Sequence, residues 1–139
     1  MLEQSGKRGD VTLEKGKIII PPDVNVWPHE YKTAQALAGA GLTVEFVRKS
    51  EEKHATSADA LIAGELWEMK APTSGKLSAV EKNLRKALKQ SSRVIIDSRR
   101  MKGLPDAAIE RELRVRAKEL RSLRRLKFVN RHGAVIDIK

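Results

Sequence analysis

Apolar residues recur along the chain in two spacings, one typical of strands and one of helices. Alternation over residues 42–47 predicts a strand, and two apolar runs broken by Gly64 predict a β-hairpin over residues 58–70. Apolar positions three and four residues apart predict helices over 29–40, over 76–91 and from Pro105 onwards, with a buried strand at 94–96 and a closing hairpin at 126–129 and 135–138. This order predicts an α/β or α+β fold, with a mixed central sheet flanked by helices.

The periodicity also predicts which residues meet the core. The first helix presents Glu30, Ala34, Leu37 and Ala38 on one face, and Thr73 or Ser74 is the expected cap of the second helix. Trp27 and Trp67 are expected in the core, since buried packing is the commoner role of tryptophan. Residues 1–17 are polar and aperiodic and are interpreted as a flexible tail or linker end, with one domain over 18–139.

Composition and charge narrow the function classes. The absence of cysteine excludes disulfides, thiolate metal sites and cysteine nucleophiles, and no apolar run approaches the roughly 18 residues needed to span a membrane. The net charge of +10 is uneven, because residues 82–131 hold 17 Lys+Arg against 5 Asp+Glu. Such asymmetry favours a polyanionic partner, with nucleic acid ahead of an acidic membrane or protein surface.

The predicted hairpin brings together groups that suit phosphodiester chemistry. A two-residue turn at Ala63 and Gly64 would set Asp59 opposite Glu68, where two carboxylates repel unless a cation lies between them. Lys70 shares the face of Glu68, because side chains alternate along a strand. Hard oxygen ligands suit Mg²⁺, with Mn²⁺ or Zn²⁺ as alternatives, and a nearby lysine can position the attacking water.

Four features are open to interpretation. Glu30 is either a fourth member of this site or an acid favoured by the helix dipole, and the hairpin charges are either a metal site or a solvated face. His29 adjoins Glu30 and is a candidate for proton transfer. A basic ridge on the last helix is a phosphate-binding surface, a solvated face or a patch for an acidic inhibitor, and its members are Arg111, Arg114, Lys118, Arg121 and Arg125.

The stretch from Asp59 through eight residues to Glu68, Met69 and Lys70 resembles the PD-(D/E)xK nuclease motif. That resemblance implies an αβββαβ core with a glutamate on the first helix, matched by Glu30, and metal bound by Asp59 and Glu68. It also implies a polar residue on the following helix, for which Lys86 and Gln90 are the candidates. Ala58 replaces the proline of the motif.

The segments PPDVNVWPHEYKTAQALA, TSADALI, WEMKAP and KALKQSSRVIID are similar to the C-terminal toxin domains of contact-dependent growth inhibition (CdiA) proteins. The resemblance implies a metal-dependent endoribonuclease acting on tRNA. It also implies secretion or cell-surface delivery within a larger protein, action in the cytoplasm of a target bacterium, and a cognate immunity protein. The alternatives are a DNA-cleaving PD-(D/E)xK nuclease and a non-catalytic basic module that binds nucleic acid.

Overall fold

A computed structural model describes residues 14–48 and 60–139 as three helices and one seven-stranded sheet. The elements are β1 (Ile18–Ile19), α1 (Pro28–Gly39), β2 (Val44–Phe46), β3 (Ala60–Ile62), β4 (Glu65–Lys70), α2 (Ser78–Ala87), β5 (Arg93–Asp97), α3 (Asp106–Glu119), β6 (Arg125–Val129) and β7 (Val135–Asp137). Within these described ranges, no helix has the length and apolar character needed to cross a membrane.

The strands lie in the sheet in their order along the chain. β1 and β2 are parallel, β2, β3 and β4 form an antiparallel meander, β4, β5 and β6 are parallel, and β7 turns back along β6. Helices connect the parallel neighbours, as parallel pairing requires a crossover. The predicted mixed sheet flanked by helices is therefore confirmed as an α+β fold.

Each face of the sheet has its own hydrophobic core. Ala34 and Leu37 of α1 pack with one set of strand residues, which includes Trp67, Met69 and Ile95. The helices α2 and α3 cover the other face, where their buried side chains are Ala79, Val80, Leu84, Ala87, Ile109, Leu113 and Ala117. The central strand β5 is buried on both faces, as its continuous apolar run predicts.

The start of the second helix and the end of the third helix correct the sequence analysis, whereas the predicted start of the third helix at Pro105 and Asp106 is confirmed. The N-cap of α2 is Leu77, without a side-chain hydrogen bond, whereas Ser74 Oγ accepts a hydrogen bond from the Lys76 N–H at 3.0 Å in the preceding turn. The helix α3 ends at Glu119. The predicted ridge is therefore broken, because Arg121 lies in the following turn and Arg125 begins β6.

The two tryptophans have opposite environments. Trp67 on β4 is buried, and Lys127 Nζ on β6 lies 5.4 Å from its ring centroid, so its predicted core position is confirmed. Trp27 is 65% exposed, and its predicted core position is wrong. The physical reason is its place at the N-cap of α1, ahead of the first turn that packs on the sheet.

An ion-pair cluster joins α2 to α3. The Arg116 guanidinium lies 2.7 Å from Glu112, 2.6 Å from Glu119 and 3.5 Å from Glu81 across the helix interface. The hydrogen bond from Arg85, with the charge of Arg116, lowers the pKa of Glu81. Arg116 is thus engaged in holding two helices together.

Candidate active site

The strand β4 carries the two groups at the centre of the site. Glu68 is 4% exposed, and its Oε2 lies 3.2 Å from Nζ of Lys70. Met69, between them in sequence, packs in the core on the α1 side of the sheet with Trp67. The alternation expected for a strand therefore sets Glu68 and Lys70 side by side on the other face.

Glu30 lies at the third position of α1 and serves the helix end. It is 8% exposed, and its Oε1 accepts a hydrogen bond from the Trp27 N–H at 2.9 Å. This satisfies one of the backbone donors left over at a helix N-terminus. The same side chain lines the cleft that contains Glu68, so the capping role and a place in the site coexist.

The cleft has a volume of about 320 Å³ and mostly polar walls. Its lining residues are Trp27, His29, Glu30, Glu68, Met69, Lys70, Ala71, Pro72 and Asn83. The cleft therefore brings together four of the residues predicted for the site. They are His29 and Glu30 of α1 and Glu68 and Lys70 of β4. His29 is half-buried at the wall.

The hairpin has the register that the sequence analysis assumes. Ile62 pairs with Glu65, Leu61 with Leu66, and Ala60 with Trp67. The two-residue turn has positive φ at both Ala63 (53°) and Gly64 (79°), the conformation that suits the twist of a tight hairpin. Asp59 lies outside the described residues, so its pairing with Glu68 stays a prediction.

The polar residue that α2 contributes to the cleft is Asn83 rather than Lys86 or Gln90. Lys86 lies one turn too far for this cleft, and Gln90 lies beyond the end of α2 at Ala87. Asn83 was not among the residues predicted for the site, and no pattern in the sequence distinguishes it.

A second cleft of about 380 Å³ adjoins the first, and the two share Pro72 and Asn83. Its charged lining residues are the lysines Lys76, Lys82 and Lys86. The sequence analysis singled out the basic residues of α3 and did not identify this group of lysines. Two of the lysines, four residues apart on α2, share a helix face, which is the signal that could have found it.

On the predicted ridge of α3, part of the positive charge is neutralised by an ion pair. Arg111, Arg114 and Lys118 line a groove of about 390 Å³ that is mainly apolar and includes Val115. Arg114 is paired with Glu110 at 2.8 Å. The role of the α3 ridge in binding nucleic acid stays a prediction.

A buried network ties α1 to the end of β5. Thr33 Oγ1 donates a hydrogen bond to Asp97 Oδ2 at 2.6 Å, and Asp97 also accepts from the Arg99 guanidinium at 2.7 and 3.0 Å. The hydrogen bond to Asp97 raises the pKa of Arg99, which stays charged. Thr33 lies one helical turn from Glu30, so this network holds the cleft-forming end of α1 against the sheet. Sequence analysis overlooked it.

Comparison with known proteins places the chain in a family. The family model described as contact-dependent growth inhibition CdiA C-terminal domain matches residues 56–135, which is more than half of the chain. No curated protein matches the sequence. The fold is similar to that of a CdiA-CT/CdiI toxin and immunity complex from Burkholderia pseudomallei, with a TM-score of 0.69 and 18% identity over 89% of this chain and 99% of that one. The chain belongs to the family of CdiA C-terminal domains of contact-dependent growth inhibition.

Proposed function

We propose that this toxin domain is a metal-dependent endonuclease of the PD-(D/E)xK type. The observation that carries the proposal is the pair of Glu68 and Lys70 on one face of β4, with Glu30 in the same cleft. The order α1, β2, β3, β4, α2, β5 supports it, since it matches the αβββαβ core that the motif implies.

The donor set of the cleft fits a hard divalent ion. Glu30 and Glu68 both present carboxylate oxygens there, and Mg²⁺ binds through one or two carboxylates together with water and substrate phosphate. Within residues 14–48 and 60–139, no three His, Cys, Asp or Glu side chains are grouped so that they could hold a metal ion, so the proposed site needs Asp59 beside Glu68. We therefore propose Mg²⁺, with Mn²⁺ and Zn²⁺ as the alternatives, held by Glu68 and Asp59.

Asp59 is proposed as a metal ligand because of the residue that follows it in the chain. It is bonded to Ala60, whose partner Trp67 immediately precedes Glu68, and consecutive Cα atoms are about 3.8 Å apart. If the antiparallel pairing continues by one residue, Asp59 lies opposite Glu68, and a cation would stabilise two carboxylates so placed.

The residues divide the work of phosphodiester hydrolysis. The ion, when bound, neutralises phosphate charge and lowers the pKa of a water molecule. The Lys70 ammonium, 3.2 Å from Glu68, orients the attacking water or stabilises the charge that develops on the phosphate. Glu30 completes the acidic wall, and His29 is a candidate to move a proton at that wall.

We propose RNA, and tRNA in particular, as the substrate. The cleft that contains Glu68 adjoins a second cleft lined by three lysines, whose positive charge suits a phosphate backbone. The choice of tRNA over DNA rests on the resemblance of segments such as WEMKAP to tRNA-cleaving toxin domains.

We also propose a cognate immunity protein as the partner, and delivery as part of a larger protein into the cytoplasm of a target bacterium. The similar structure is that of a toxin and immunity complex, which supports such a partner here. A positively charged toxin calls for an acidic inhibitor surface. An adjacent gene product that fails to bind the purified domain would count against this part.

A second candidate is a non-catalytic module that binds nucleic acid. It is favoured by one observation, namely that the three lysines line a cleft of their own and do not depend on Glu68 or Lys70. In that case the carboxylates would have no chemical role. Cleavage separates the two candidates.

The deciding experiment incubates the domain with total tRNA and, separately, plasmid DNA, each with Mg²⁺ or EDTA. Wild type is compared with Glu68→Gln, with the double variant Asp59→Ala/Lys70→Ala, and with Glu65→Gln as a matched control. Glu65 lies on the same strand but is exposed and paired with Arg93 at 2.6 Å. We expect Mg²⁺-dependent cleavage of tRNA by the wild type and the Glu65→Gln control only. If the domain binds tRNA or DNA but cleaves neither, the non-catalytic binding module becomes the better supported function.

A further inference from the structure

We infer that Trp27 is the platform on which an unpaired nucleobase of the substrate stacks beside the reacting phosphate. The inference rests on the proposed nuclease function and adds to it a substrate class: the domain acts on nucleotides that are not held in a duplex. It assigns a binding role to a residue that neither motif nor periodicity singles out.

The exposure of Trp27 is the first argument. At 65% it is the most exposed of the large hydrophobic side chains in the described ranges. A tryptophan exposed to this extent forgoes much of the burial that makes this residue type stabilising, so core packing does not account for its presence at this position. Trp27 lines the same cleft as Glu68 and Lys70.

The rigidity of its attachment is the second argument. The Trp27 N–H is held by Glu30 at 2.9 Å, and Pro28 follows, which restricts the backbone of the residue before it. The observed φ of −71° and ψ of 149° are in the extended region that this restriction favours. Because the backbone is already fixed, stacking of a base on the ring costs side-chain freedom but no further backbone freedom, which favours binding.

The neighbouring charge identifies the occupant. The cleft that contains Trp27 continues at Pro72 and Asn83 into the cleft lined by Lys76, Lys82 and Lys86. An aromatic face beside a track of cations is the arrangement that binds single strands, because the base stacks while the phosphates meet the lysines. Bases inside a duplex have both faces covered by their neighbours, so only an unpaired nucleotide offers a free face.

The test measures binding without cleavage. A labelled single-stranded RNA and the same RNA in a duplex are titrated in EDTA with the Glu68→Gln domain, alone and combined with Trp27→Phe, Trp27→Leu, Trp27→Ala or Tyr31→Ala. Tyr31 is the matched control, an exposed aromatic residue of α1 that is not among the cleft-lining residues. Thermal melting checks that each variant is folded.

For the single strand we expect Trp27→Ala and Trp27→Leu to weaken binding by about 5- to 150-fold, while Trp27→Phe and Tyr31→Ala stay within about 3-fold of the parent. Duplex binding should not change. Single-stranded RNA should also quench tryptophan fluorescence in the parent and not in Trp27→Phe, whose one remaining tryptophan is the buried Trp67.

Three outcomes would overturn the inference: unchanged binding in Trp27→Ala, binding by Trp27→Leu equal to that of the parent, or an equal loss for duplex RNA. These are separate from a failure of the proposed function. A domain that binds through Trp27 but cleaves nothing would refute the nuclease and leave the stacking role. A domain that cleaves RNA while Trp27→Ala binds normally would refute the stacking role alone.

Discussion

Replacing Thr33 with valine tests whether the buried network at the end of β5 holds α1 in place. Valine keeps the shape of threonine and removes only the hydroxyl, whose hydrogen bond to Asp97 Oδ2 is 2.6 Å long. Both residues are nearly inaccessible, at 1% and 4% exposure. Water therefore cannot replace the lost donor, and the carboxylate keeps only the partners that Arg99 supplies.

A hydrogen bond to a charged group contributes about 1.5 to 3 kcal/mol to stability. The unfolding entropy of globular proteins, about 2.1 cal/mol/K per residue, converts each kcal/mol into roughly 3.4 °C for a chain of this length. We therefore expect Thr33→Val to lower Tm by roughly 5 to 10 °C. If the domain is the nuclease proposed above, RNA cleavage should fall as well, because Glu30 lies on the adjoining turn of α1.

The assay is thermal unfolding followed by circular dichroism, with Thr43→Val as the matched control. Thr43 Oγ1 accepts a hydrogen bond from the Lys17 N–H at 3.1 Å on an exposed part of the chain, so its loss should change Tm by roughly 3 °C or less. If the two variants melt at the same temperature, Asp97 does not depend on Thr33 and the network does not hold α1.

Three further predictions concern acid stability, salt dependence and packing. The pKa of Glu81 is lowered in the folded protein, so its ionised carboxylate stabilises the fold above about pH 4.5, and this effect is lost as the pH falls through the lowered pKa. Glu81→Gln should therefore lower Tm at pH 7 and have no effect on Tm in strong acid, which thermal melting over that pH range checks. If the lysine-lined cleft binds phosphates, Lys82→Gln and Lys86→Gln should each reduce the slope of log K against log salt for single-stranded RNA by about 0.7, measured by titration at several salt concentrations; an unchanged slope would place the backbone elsewhere. An added Cβ at Gly16 would lie 1.9 Å from the Leu42 carbonyl oxygen, so Gly16→Ala should destabilise by about 1 to 3 kcal/mol in denaturant unfolding, whereas Gly39→Ala, with open space around it, should not destabilise.

Where local pattern and tertiary packing agree, the sequence alone was sufficient. The hairpin is the clearest case, since alternation and Gly64 predict both strands and the register that sets Ala60 opposite Trp67. The buried stripe of α3, from Ile109 to Ala117, follows from helical spacing in the same way. Side-chain periodicity depends only on backbone geometry, which is why it can be recognised without a structure.

Side-chain periodicity did not predict where the helices end or which apolar residues are exposed. Ser74 has the chemistry of a cap but forms a turn ahead of α2, and α3 stops before Arg121. Trp27 is apolar yet exposed, because burial depends on what packs around a residue rather than on its own hydrophobicity. Local propensity is weak at such positions, and tertiary contacts override it.

By itself, the sequence determined the element types, the two faces of the helices and the alignment of Glu68 with Lys70, since these follow from backbone periods of 3.6 and 2 residues. Only the tertiary structure decided that Glu30 shares their cleft, that Asn83 rather than Lys86 faces it, that Thr33 meets Asp97 across 64 residues of chain, and that Trp27 stands at its wall. Those contacts depend on how separate elements pack against one another, which no pattern within a single element specifies.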